Sequence, residues 1–200
     1  MTARLPSLIA ITPGDGRPLK PWIEALGRAG LRGLLIREPS LDAPSVEGLV
    51  RYSQDRIASV LVHGSCAGHA HLSCSGLHLA SHAFGGQRPP KLEGWLGVST
   101  HNALELADAF AGGADYAFLS PVQRPSSKPA DRRLLLGVPG FLDITSQRSV
   151  YALGGITPTL CTTLMNEGAF GVAVMGDLFG CASPDQAGER LKAYGEAVSD

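Results

Sequence analysis

The sequence is poor in the features that identify many protein classes on sight. Its four cysteines, Cys66, Cys74, Cys161 and Cys181, form no CxxC pair and no Cys/His ligand spacing. They read as free, mostly buried thiols of a reducing compartment, not as a disulfide or zinc framework. Neither charge dominates: the formal net charge is −1, the basic residues are scattered, and Arg132-Arg133 is only a pair. That leaves no electrostatic footprint for a nucleic acid. No apolar run approaches the ~18 residues of a membrane span, and no charged n-region followed by an apolar h-region opens the chain. The expectation is therefore a cytoplasmic protein with no membrane partner. No GxGxxG or GxxxxGK[ST] follows the first apolar run, which weakens nucleotide-binding folds. There is also no Ser/His/Asp order, no pair of catalytic carboxylates and no metal-ligand cluster.

What is present is a regular alternation. Short apolar runs occupy residues 8–12, 33–36, 59–62, 76–79, 95–98, 116–119, 149–153 and 170–174. They do not alternate polar with apolar, as befits parallel strands buried on both faces. Helical spacing of apolar residues separates several of them, over residues 18–29, 42–55, 101–111 and, as the closing helix, 184–198. Residues 66–73 read as a short helix or turn, 81–91 as Gly/Pro-rich with little regular helix, and 134–145 as a weak helix interrupted by Gly137 and Pro139. Eight strands, each followed by a helix or helical stub, in 200 residues predict an α/β protein, a compact (β/α)8 TIM barrel in a single domain spanning 1–200. The loop at 120–133 is long for a compact domain, as functional lids are.

Barrel chemistry sits at the C-terminal ends of the strands. The most informative stretch is 149–179, where two adjacent strands end on glycine, at Gly154-Gly155 and at Met175-Gly176. Thr157-Pro158 supplies an N-cap and a first-position proline for the next helix. Glycine lets backbone approach a ligand, and helix starts aim N–H groups at anions, so the two turns predict a phosphate cup. The other strand exits carry Arg37-Glu38, His63, His78, Ser81-His82, Ser99, Thr100, His101 and Ser120, with Lys128 on the long loop. Cations, hydroxyls and imidazoles outnumber carboxylates, which suits an anionic ligand such as a phosphate ester better than a hard metal. Plainer readings stand beside these: a rim ion pair for Arg37-Glu38, a core histidine for His78, a solvated His82, a helix cap at Thr100-His101-Asn102, and an exposed Lys128. The double glycine is harder to explain as a purely structural turn.

Several motifs converge. LLIRE ending at Glu38, GLHL at 76–79, LGVSTHNALELADAFAGGADYAFLSPV at 96–122, Lys128, YALGGITP at 151–158 and GVAVMGDLF at 171–179 appear in order over nearly the whole chain. On these stretches the chain is identified as a member of the thiamine phosphate synthase/TenI family. The resemblance implies a phosphorylated small-molecule ligand and a barrel fold, with a homodimer as a family-level expectation. In synthase members, a pyrimidine methyl diphosphate ionises, Mg-bound pyrophosphate leaves, and a thiazole phosphate nitrogen captures the cation. Carried over, Arg37 and Lys128 would meet pyrophosphate oxygens as charge-assisted donors. Ser99 would lie near the pyrimidine or its diphosphate, and Ser127 would replace a loop threonine. Gly155, Met175 and Gly176 would hold the thiazole phosphate through backbone N–H groups.

The departures are specific. The family pattern Gln-x-Arg-x-Lys is here Leu35, Arg37 and Pro39; Asn-Asp is His63-Gly64; and Gly-Gln-x-Asp is Ala80-Ser81-His82-Ala83. Both metal-binding carboxylates are thus replaced, and Mg²⁺ asks for oxygen ligands. The expectation is no tightly bound cofactor, with Mg only if synthase activity is retained. TenI-type members carry out a metal-independent aromatising tautomerisation, but their histidine after strand six is here Ser120. His101, His63 and His78 are the candidate substitutes, since a histidine's pKa suits proton transfer near neutrality. Three readings follow: a TenI-like barrel binding a thiazole phosphate or related phosphorylated heterocycle, with tautomerase chemistry; an atypical synthase; and a non-catalytic phosphate-ester-binding or regulatory protein.

Overall fold

A computed structural model describes residues 4–69, 73–124, 133–145 and 148–195. Eight parallel strands close into one barrel in sequence order, with β1 paired to β8. The strands are β1 (Leu8–Ile11), β2 (Gly33–Ile36), β3 (Ser59–His63), β4 (Gly76–Leu79), β5 (Trp95–Thr100), β6 (Tyr116–Leu119), β7 (Val150–Leu153) and β8 (Gly171–Val174). Helices α1 (Lys20–Arg28), α2 (Ala43–Gln54), α3 (Ala103–Ala111), α4 (Gly137–Thr145), α5 (Pro158–Asn166), α6 (Gly176–Phe179) and α7 (Pro184–Gly195) surround it. The expected barrel is therefore present, with strand boundaries within two residues of those read from sequence.

Local chemistry sets the helix ends. Asp42, Asn102 and Thr157 are N-caps whose side chains accept the N–H of Ser45, Glu105 and Leu160, at 3.0, 2.9 and 3.3 Å. The helix anticipated from residue 134 starts instead at Gly137, because the N–H groups of Leu136 and Gly137 are taken by the carbonyls of Pro121 and Val122 beyond β6. The helical turn anticipated at 66–73 is a hydrogen-bonded turn through His69, and the rest of that stretch lies partly outside the described residues. After β4 there is only a single 3-10 turn, Ser81–Ala83. The closing helix is described as far as Gly195, so Val198 lies outside the described residues.

Two apolar layers hold the barrel. Outward strand residues such as Leu34, Val60, Val62, Ala117, Ala152 and Val172 pack against the helices. Inward residues Ile9, Ile11, Leu35, Leu61, Tyr116, Phe118, Tyr151 and Ala173 fill the interior. The large inward rings fit because neighbouring strands offer glycine opposite them. A Cβ on Gly97 would lie 2.1 Å from Tyr116 Cζ, and one on Gly171 would lie 2.8 Å from Tyr151. Gly76 likewise leaves room for the Trp95 backbone. Interiors this dense tolerate added volume poorly, and overpacking costs about 1–3 kcal/mol. Gly97→Ala is accordingly expected to lower the thermal midpoint by roughly 2–12 °C. Scanning calorimetry checks this, and an unchanged midpoint would show that the ring of Tyr116 is not held against β5.

Candidate active site

A cavity of 820 Å³ opens at the C-terminal ends of the strands. Its wall includes Arg37, His63, His78, Ser99, His101, Ser120, Gly154, Gly155, Met175 and Gly176. Ten residues nominated from sequence thus share one space. Thr100 does not join them. Alternation along β5 turns Ser99 inward and Thr100 outward, where Thr100 is fully buried and its hydroxyl donates to Phe118 O at 3.0 Å. Ser127 and Lys128 lie outside the described residues.

The glycine cup has a structural basis as well as an open one. Gly154 and Gly155 have φ of 102° and 64°, and a Cβ on Gly155 would come within 2.8 Å of Gln123 Cβ and 2.9 Å of Arg124 O. Only glycine fits both that backbone conformation and the approach to the loop after β6. The double glycine is therefore required by packing, contrary to the expectation that a structural turn does not need it. Gln123 N–H donates to Gly154 O at 3.0 Å and fastens the two loops together. The N–H groups of Gly155 and Gly176 donate to no acceptor among the described residues. Behind Gly176, Asp177 is gripped by Arg190 through two bonds of 2.7 and 2.8 Å. The Tyr194 hydroxyl stands 2.6 Å from the same carboxylate and 3.0 Å from Ile156 O, so α7 braces both glycine turns.

The three candidate histidines differ in what their nitrogens can do. His63 Nδ1 accepts the Ser65 N–H at 3.1 Å, which places the ring proton on Nε2. Burial, with Arg37, His69 and His82 adding repulsion, pushes its pKa down to about 4, so it is neutral at physiological pH. His78 is 1% exposed, lies tilted against Phe118 with ring centroids 4.1 Å apart, and has both nitrogens engaged, by Tyr116 and by Ser99. Burial holds its pKa well below the usual histidine value. His101 is different. Its Nδ1 lies 2.9 Å from Glu105 Oε2, which requires an Nδ1–H donor and leaves Nε2 as an acceptor. The same carboxylate accepts the His101 backbone N–H and the Asn102 side-chain amide, so the helix cap and the imidazole orientation are one arrangement. Of the three, His101 alone has the geometry of an oriented general base.

The carboxylates near the rim are committed elsewhere. Glu38 is buried and accepts the Gly14 N–H at 3.0 Å, so it does not serve Arg37 as the sequence reading allowed. Asp177 belongs to Arg190 and Glu105 to His101. The exits of β3 and β4 present His63-Gly64 and 80–83, with no carboxylate. Among the described residues no group of three or more His, Cys, Asp or Glu gathers as a metal site. The described residues therefore do not fit the hard, oxygen-ligated Mg²⁺ of a synthase. Sequence reading missed Arg124, Arg133 and Arg190 on the cavity wall, and Asp177 beneath it. Nothing in the local sequence marks Arg190, which reads as the outer face of a helix. Gly97 carried a usable signal, since glycine inside a strand points to a close approach.

A closed (β/α)8 barrel with its cavity at the strand C-termini defines the class of protein. Within that class, the chain belongs to the thiamine monophosphate synthase (TMP-TENI) family, whose model matches residues 8–178. The thiamine-phosphate synthase of Thioalkalivibrio sulfidiphilus is 31% identical over 96% of this chain and 97% of its own length. That of Moorella thermoacetica is 27% identical over 90% of this chain and 89% of its own. Among solved structures, thiamine phosphate pyrophosphorylase of Pyrococcus furiosus superposes with a TM-score of 0.74 at 18% identity, covering 97% of each chain. No helix among the described residues is long and apolar enough to cross a membrane.

The histidine environments have a measurable consequence. Unfolded His63 binds a proton near pH 6.5, whereas the folded residue does so only at about 4. Between those values the unfolded chain holds more protons, so stability falls as pH is lowered through that window. His78 acts in the same direction. Urea midpoints are expected to fall from pH 7 to pH 4.5, and His63→Gln to make that fall shallower. An identical fall in the variant would show that His63 titrates normally.

Proposed function

We propose that the protein binds a thiazole phosphate or a closely related phosphorylated heterocycle, with the phosphate on the Gly154-Gly155 and Gly176 turns and the ring toward Phe118 and His78. The observation carrying this reading is the cavity's charge. Arg37 and Arg190 line it against one carboxylate among its described residues, Asp177, which Arg190 already neutralises. The open N–H groups of Gly155 and Gly176 add oriented dipoles suited to phosphate oxygens.

For the reaction, end-to-end likeness to proteins named thiamine-phosphate synthases favours condensation over tautomerisation. Condensation joins the thiazole nitrogen to the pyrimidine methyl carbon as the carbon–oxygen bond to diphosphate breaks. The guanidinium of Arg37, at the exit of β2, would receive the negative charge of the departing diphosphate. The cavity's 820 Å³ is within the range of sites that enclose drug-sized ligands. A second reading, tautomerisation of a thiazole carboxylate phosphate, is favoured by one observation: the Glu105-oriented His101, whose Nε2 can take a proton at the rim.

One set of measurements separates these readings. Calorimetry with thiazole phosphate is expected to show micromolar binding that Gly155→Val abolishes. Incubation with pyrimidine methyl diphosphate, with and without Mg²⁺, is expected to give thiamine phosphate and pyrophosphate in equal amounts, with Arg37→Ala slowing it about 10²–10³-fold. Loss of the dihydrothiazole tautomer without a second substrate, slowed by His101→Gln about 10²–10⁴-fold, would select the isomerase reading instead. Binding with neither turnover would make this a phosphate-ester-binding protein, and failure to bind any of the three compounds would remove the proposal.

A further inference from the structure

Strand register creates an unusual contact beneath the cavity. His63 pairs with His78 across β3 and β4, His78 with Gly97 across β4 and β5, and Gly97 with Tyr116 across β5 and β6. Because Gly97 has no side chain, the rings of His78 and Tyr116 meet over it, and a Cβ there would lie 2.5 Å from His78 Nδ1. The Tyr116 hydroxyl stands 3.1 Å from His78 Nδ1, and His78 Nε2 stands 2.9 Å from Ser99 Oγ. Tyr116 is fully buried and His78 nearly so, while Ser99, one alternation higher on β5, lines the cavity.

The proton positions follow from the need to satisfy a buried donor. The Tyr116 hydroxyl sits among Phe118, Tyr151 and the His78 ring. The Tyr151 hydroxyl donates to Pro6 O at the other end of the barrel. His78 Nδ1 is thus the acceptor within reach of the phenol proton, and a phenol O–H left without one is costlier than an unused oxygen lone pair. Nδ1 therefore carries no proton and Nε2 does. That Nε2–H donates to Ser99 Oγ, which turns the serine's own proton away from the histidine and into the cavity. Burial keeps His78 neutral, consistent with this arrangement.

We propose that Tyr116 and His78 form a positioning relay that fixes the Ser99 hydroxyl as a hydrogen-bond donor to an anionic oxygen of the bound ligand. The donor role rests on reading the cavity as a phosphate-ester site; the relay itself is a property of the free protein. His78 is then a positioning residue and not an acid or base, since neither nitrogen is available to a substrate. The relay also makes Ser99 selective. With its oxygen already accepting from His78, it favours ligands that bring an acceptor over ligands that bring a donor.

The full chain, labelled with ¹⁵N-histidine, tests this by nuclear magnetic resonance. The His78 signals, assigned by their loss in His78→Gln, are expected to show the Nε2–H tautomer, unchanged between pH 6 and 8. Tyr116→Phe is expected to lose that fixed tautomer. Both Tyr116→Phe and Ser99→Ala are expected to weaken binding of inorganic pyrophosphate or thiazole phosphate about 10-fold or more, with the double variant no worse than Ser99→Ala. An Nδ1–H tautomer in the wild type overturns the relay whether or not Tyr116→Phe folds. Undiminished binding by Ser99→Ala overturns the donor role. Wild-type protein that binds neither probe overturns the donor role together with the reading of the cavity, while the tautomer still reports on the relay.

Discussion

The barrel depends on steric exchange between neighbouring strands: opposite each of the two inward tyrosines, a neighbouring strand carries glycine. Gly97 receives Tyr116 and Gly171 receives Tyr151. These rings, with Phe118, form the floor of the cavity, and tilted and edge-on contacts near 5.6 Å lock them together. The polar atoms of this layer are paired within it or below it: the Tyr116 hydroxyl with His78, the Tyr151 hydroxyl with Pro6 O. His78 enters that layer as an imidazole, tilted against Phe118 and held at both nitrogens. The site's geometry is thus inherited from packing several ångströms below it.

Above the floor, the rim divides into two walls of different construction. The β7 and β8 side is backbone: glycine turns, open N–H groups, and a carboxylate neutralised from behind by Arg190 and Tyr194. The β2 to β5 side is side chain: Arg37, the imidazoles of His63, His78 and His101, and Ser99. Oriented dipoles on one wall and a guanidinium on the other both favour negative charge without any carboxylate partner. Repulsion from Arg37 is one reason His63 stays neutral, so that wall limits its own positive charge.

Much of this was legible in the sequence because barrel strands announce themselves by period and punctuation. The eight apolar runs, the Thr157-Pro158 helix start and the Gly154-Gly155 turn each follow from local chemistry, and all lie where that chemistry places them. Alternation along a strand was the subtler rule. It assigns Ser99 inward and Thr100 outward, and applying it strictly would have removed Thr100 from the rim. The start of α4 could not be read locally, because it is set by carbonyls of Pro121 and Val122 on another element. The contacts of Arg190 and of Tyr116 were hidden for the same reason. They are fixed by which strands and helices become neighbours, and a partner 13 or 38 residues away leaves no mark on the residues beside it.

The bracing of the glycine turns by α7 bears on the order in which the molecule is made. β1 lacks one of its two neighbours until residues 171–174 have been synthesised, and the glycine turns lack Arg190 and Tyr194 until residues 190–194 have followed. Arg17, 162 residues earlier, reaches Phe179 O at 2.6 Å and ties the loop after β1 to α6. Barrel closure and the bracing of the glycine turns both depend on contacts of long sequence separation, which are slow to form. A chain not yet made as far as residue 190, however much of its barrel it has assembled, lacks the braces that hold both glycine turns.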